Sequence, residues 1–147
     1  MKKIIDNIEY NIKLAESRLN EAEVKYVESI KKYKTTQHNA ASKSFIKSLI
    51  KQKTNAYIAK QKANVDIAKQ KTNADIVIQK AYYEAAQQEA YFEITFAEQK
   101  AYSEMITAEF EYENARRECG RIYALAKGEP TSLPVGKSPH EIFNLIK

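Results

Sequence analysis

The sequence predicts an all-α protein: a long helical hairpin or extended coiled coil, with an extended C-terminal tail that ends in a short docking helix. Three observations predict it. Residues 1–119 of the 147 contain neither Gly nor Pro, and every Gly and Pro lies from Gly120 onward. Without those breakers, a chain rich in Ala, Lys, Glu, Gln and Ile favours helix over long spans. Residues 3–34 carry a seven-residue apolar repeat, and residues 51–77 carry three near-copies of a nine-residue unit.

The first helix, about residues 3–34, rests on the seven-residue repeat. Ile5, Ile12, Leu19, Tyr26 and Tyr33 fall at one seam position, and Ile8, Ala15, Ala22 and Ser29 at the other. Steps of three and four alternate, which is the pattern of a helix packed along one stripe. The small residues of the second set admit a close neighbour. Glu9–Lys13, Glu21–Lys25 and Glu28–Lys32 are spaced as favourable pairs on the outside.

A turn is expected near 35–43. The stretch TTQHNAASKS loses the apolar stripe and is rich in Thr, Ser, Asn and Gln, and Ser42 or Ser44 can cap the next helix. From about 44 to 127 the chain reads as one long helix, which would extend about 120 Å. Its centre repeats as KQKTNAYIA, KQKANVDIA and KQKTNADIV over 51–59, 60–68 and 69–77. Nine residues make two and a half turns, so Ile58 and Ile76 face one way and Ile67 the other. Ala56, Ala63, Ile67, Ala74, Ile78 and Ala85 step by seven and four, an eleven-residue period that favours a straight or slightly right-handed course. A helix that is apolar on two sides needs partners on two sides. Beyond residue 80, Tyr82, Tyr83, Tyr91, Phe92, Phe96, Tyr102, Phe110 and Tyr112 recur at helical intervals, and their expected role is packing in a thicker bundle.

Lys127-Gly128 ends the long helix, and residues 128–138 form an extended linker. Ser138, Pro139 and Glu141 then stand as N-cap, first helical residue and capping-box acid of a short helix over 139–147. Ile142, Phe143, Leu145 and Ile146 make this segment apolar. A helix this short does not hold by itself. It either docks in a partner's groove or folds back on its own long helix.

The formal net charge is +5, but it is unevenly spread. Residues 34–80 hold ten Lys against two Asp, a block of +8; residues 81–118 hold nine Glu against Lys100, Arg116 and Arg117, a block of −6. Lys51, Lys53, Lys60, Lys62, Lys69 and Lys71 form the candidate basic contact surface. It would meet the acidic block of a neighbouring copy, which fixes register, or the phosphates of a nucleic acid. Lys51, Lys62 and Lys69 lie on one stripe and Lys53, Lys60 and Lys71 on nearly the opposite one, and no Arg stands between Arg18 and Arg116. A helix laid on DNA usually concentrates its charge on one face and includes Arg, so the protein partner is favoured.

Signals for chemistry are weak. TSLPVGKS ends like a phosphate-binding loop, but Thr131 stands where the first Gly belongs and a helix precedes it. His140-Glu141 opens a zinc-type motif that Asn144 breaks. Cys119 is the only cysteine, has no nearby base and is expected to pack as a small apolar residue. No catalytic, cofactor-binding or metal site is expected. Asp6 and Glu9 interrupt any signal-peptide core, and no run reaches the roughly 20 apolar residues of a membrane span.

The expectation is a non-enzymatic structural protein, either a homo-oligomer or a part of an assembly with other structural proteins. It would build a particle, shell or filament, a virus or phage virion being the concrete form. The alternative is a nucleic-acid-coating or packaging protein using the Lys-rich block 34–80. The expected location is the cytoplasm, or a virus particle assembled there.

Overall fold

The computed structural model describes the backbone of residues 2–64 and 73–147, and the side chains of Ile4 and of residues 6–60 and 78–147. The helices are α1 (Lys2–Ala41), α2 (Lys43–Asn64), α3 (Asn73–Lys127) and α4 (Pro139–Leu145). No strand occurs among the described residues. The chain divides into two units, one of Met1–Lys34 with Lys100–Lys147 and one of Thr35–Gln99.

In the first unit, α1 and the C-terminal part of α3 run antiparallel. Tyr123 meets Glu16, Tyr26 meets Tyr112, and Lys32 meets Glu104, so the numbers rise on one helix as they fall on the other. The core gathers Ala15, Leu19, Tyr26 and Ile30 from α1 with Met105, Ala108, Tyr112 and Cys119 from α3, and Ile142 from α4. The seam read from the sequence holds at Ala15, Leu19 and Tyr26. It then drifts: Ile30 is fully buried, whereas Ser29 is half-buried and donates to the Tyr26 carbonyl at 2.6 Å. A straight helix of 3.6 residues per turn walks off a seven-residue repeat by about 20° each time, enough to hand the seam to the next residue.

In the second unit, α2 lies antiparallel to the N-terminal part of α3. Ile50 is buried with Ala86 and Ala90, and Ile46, Leu49 and Tyr57 pack around them. The Tyr57 and Tyr82 rings stack, with centroids 5.9 Å apart and planes 3° from parallel. Alanines on α3 let the larger side chains of α2 reach its backbone.

These contacts correct the expectation of a single helix over 44–127. Tyr57 and Glu89, 32 residues apart, share a hydrogen bond, yet along one helix they would be about 48 Å apart. The repeat-built propensity for helix is real. A single helix, however, would leave Ile46, Leu49 and Ile50 bare, and pairing α2 with α3 buries them. Residues 65–72, with Ile67, Lys69 and Lys71, lie outside the described residues, as do the side chains of Lys62 and Ile76.

The expected turn near 35–43 also shrinks. α1 continues through 35–41 and the interruption is Ser42 alone. The Ser42 hydroxyl accepts from the Phe45 amide at 3.3 Å and its carbonyl from the Ile46 amide at 3.1 Å, so Ser42 caps α2. The polar residues before it carry only a modest helix penalty, too small to stop a helix already formed.

α3 ends as expected. Gly128 takes φ +71, its amide donates to the Leu125 carbonyl and the Glu129 amide to the Ala124 carbonyl. This is the paired-bond helix stop that needs a left-handed residue, hence Gly.

Candidate interaction surface

Three features are candidates for function: the seat of the C-terminal tail, the outward side of α3, and the exposed lysines of α2.

The tail is not a free linker. After Gly128 it turns back along α3 and is held by side chains of the helices below it. Gly120 makes the approach possible, because a methyl there would collide with the Leu133 carbonyl. One turn earlier, the Val135 amide donates to the Arg116 carbonyl at 3.2 Å. The Arg116 guanidinium donates to the carbonyls of Val135 and Gly136, each at 3.1 Å, and to Glu113 at 2.6 Å. Arg116 is 8% exposed, and these partners satisfy its charge. Another turn earlier, the Tyr112 hydroxyl donates to the Lys137 carbonyl at 2.7 Å.

α4 then crosses to α1. Ser138 caps it, accepting from the Glu141 amide at 3.3 Å and donating to the Glu141 carboxylate at 3.2 Å. The Tyr26 hydroxyl donates to the Pro139 carbonyl at 3.3 Å. At the other end of α4, the Lys34 ammonium donates to the Phe143 carbonyl at 2.8 Å and to the Ile146 carbonyl. It also lies 4.3 Å from the centre of the Phe143 ring. A cation over bare carbonyls at a helix C-terminus complements the helix dipole.

Of the four apolar tail residues, Ile142 is buried, Phe143 and Ile146 are half-buried against the same core, and Leu145 is 62% exposed. The groove that receives the tail here belongs to the chain itself, the second of the two expected arrangements. The sequence did not mark Lys34, Tyr112 or Arg116 as holding the tail. Their partners are main-chain carbonyls, which leave no signature in residue identity.

Burial sets the protonation of this seat. The Tyr26 hydroxyl is pushed up to about 12 by burial and by the nearby Glu109 carboxylate. Tyr112 is raised by burial and then by Glu23. Both therefore stay protonated donors across the neutral range. Cys119 is fully buried, and burial raises its thiol.

On its outward side α3 carries large apolar side chains among polar ones. In the first unit, Ile106 and Phe110, one turn apart, are 42% and 68% exposed on the side away from Ala108 and Tyr112. They line an open groove of about 600 Å³ together with Glu109 and Arg117 of α3 and Pro139 and His140 of the tail. In the second unit, Phe92 and Phe96 are 75% and 59% exposed, turned away from Ala86 and Ala90. Most of the aromatics expected to pack inside the bundle, Tyr83, Tyr91, Phe92, Phe96, Tyr102 and Phe110, are thus exposed on this chain; Tyr112 is buried and Tyr82 half-buried.

Of the basic candidates, Lys51 and Lys60 are exposed, and Lys53 is half-buried in an ion pair with Glu93 at 2.5 Å. The basic and acidic blocks therefore meet within one chain at this point. Among the described residues, no three His, Cys, Asp or Glu side chains gather to hold a metal ion, and no helix is long and apolar enough to cross a membrane. Comparisons of the chain with protein-family models, with curated proteins and with solved structures found no match.

Proposed function

We propose that this is a non-enzymatic structural protein that assembles with further copies of itself, or with other structural proteins, through helix–helix packing into a particle, shell or filament, a virus or phage virion being the concrete form. The observation that carries the reading is the second apolar side of α3. In each unit α3 buries one side against its own chain and turns a pair of large side chains outward, Phe92 with Phe96 and Ile106 with Phe110. Large apolar side chains held exposed one turn apart offer a contact for another surface. Light scattering on the purified chain tests this. Mass should rise with concentration, and Phe92→Glu with Phe110→Glu should lower it without loss of helicity. A chain that stays monomeric at every concentration overturns self-assembly and leaves only the other structural proteins as partners.

A second reading, nucleic-acid coating, draws on the exposed Lys51 and Lys60. DNA retention that falls steeply with added salt would support it. Absence of retention at low salt removes it. The engagement of Lys53 by Glu93 favours the protein-only reading.

A further inference from the structure

We infer that the tail seat is an exchange joint: residues 133–146 of one copy occupy, in a second copy, the same seat they occupy here in their own chain. The inference rests on the assembly reading and names the link between copies.

Three features carry it. The seat recognises the tail chiefly through main-chain atoms. Lys34, Tyr26, Tyr112 and Arg116 between them donate to six tail carbonyls, those of Val135, Gly136, Lys137, Pro139, Phe143 and Ile146. Ile142 is the tail side chain buried in the core. Every one of these contacts is preserved if the tail comes from another copy, so exchange trades no bond away.

The second feature is the connection. The reversal between the end of α3 and the first close approach, Leu133 over Gly120, is confined to Gly128–Ser132. Short connections between an exchangeable element and its body are where swapping between protomers arises. The third is concentration. A tethered tail competes at an effective concentration of about millimolar. Copies held side by side in an assembly reach that range, whereas dilute chains do not, so the joint closes within one chain in dilute solution and between chains in the assembly.

Gly120 offers a clean way to block the seat. The atoms nearest to a methyl at this position belong to Leu133 and Pro134 of the tail. Gly120→Ala with Lys34→Ala therefore gives a chain with a closed seat and an intact tail. Ile142→Asp gives the reverse, an intact seat and a dead tail. The two full-length variants are mixed, one carrying a mass label, and weighed by native mass spectrometry, with circular dichroism confirming that each stays helical. The expected result is a mixed pair in excess of random mixing, because only the combination joins a working tail to a working seat. Pairing at random overturns the exchange joint and leaves the assembly reading standing. A mixed pair in excess, from a chain that never self-associates otherwise, supports the joint and overturns the outward side of α3 as the contact. No association of any kind overturns both the joint and self-assembly through α3.

Should either variant lose helicity, the connection itself is varied in the otherwise unaltered chain. Deleting Thr131 and Ser132 should raise the oligomer fraction, because the tail no longer reaches its own seat. Inserting Gly-Ser residues after Gly128 should lower it. An oligomer fraction that is the same in both overturns the joint.

Discussion

At the scale of single residues, the two tyrosines beneath the tail make stability sensitive to alkali. Tyr26 must be protonated to donate to Pro139, and its folded-state value of about 12 lies above the ordinary 10. A raised value means that the contribution is whole below about pH 10 and is lost as the pH climbs through about 12. Denaturant melts at stepped pH should show stability falling across that window, and Tyr26→Phe should make the fall shallower. Arg116→Ala should lower stability by about 3 kcal/mol, because it leaves two tail carbonyls without their donor and Glu113 with Arg117 alone; a thermal melt measures it. Ile142→Ala should also cost about 3 kcal/mol, as for other buried large-to-small changes. Some of these residues were legible in the sequence. Tyr26 stood in the apolar repeat and Ile142 in an apolar cluster. Arg116 was not: its role depends on where a distant stretch of backbone passes, and only the folded chain brings that backbone near.

At the scale of elements, the stops and starts were the most legible features. Gly128, Ser138, Pro139 and Glu141 act as their residue types require, since capping is local chemistry between a side chain and the nearest amides or carbonyls. Gly128→Ala should lower stability by about 1 kcal/mol, the strain of a Cβ at φ +71. Ser42→Ala should cost about 1 kcal/mol at the start of α2. Both changes can be read in a denaturant midpoint. The expected length of the second helix was the main error. Helix propensity along 44–127 is high throughout, and propensity alone contains no information on where two stretches of the same chain prefer each other. That preference lies in the match of Ile46, Leu49, Ile50 and Tyr57 to Ala86 and Ala90, a pattern of large against small that is visible only once the two are paired.

At the scale of the whole molecule, the segregated charges were legible, but a use for them within one chain was not. The expectation set the basic block of one copy against the acidic block of the next. Lys53 reaches Glu93 of its own chain. An exposed pair of this kind is worth little in free energy, but it helps fix which residues lie opposite each other. Turned outward are the paired large side chains of α3 and Lys51 and Lys60 of α2, beside exposed glutamates such as Glu84 and Glu111. Self-association should therefore persist in high salt, because apolar contacts are not screened, whereas any nucleic-acid retention should fade. Light scattering and a filter-retention assay, both run across a salt series, separate the two contributions.

The fully buried thiol gives the molecule its own clock. Cys119 is the only cysteine in the sequence, is inaccessible in the folded first unit, and has its thiolate suppressed by burial. A thiol reagent can reach it only while the core of the first unit opens, so the labelling rate counts those openings. Without any engineered label, the reaction of one sulfur can report how often the first unit loosens in solution.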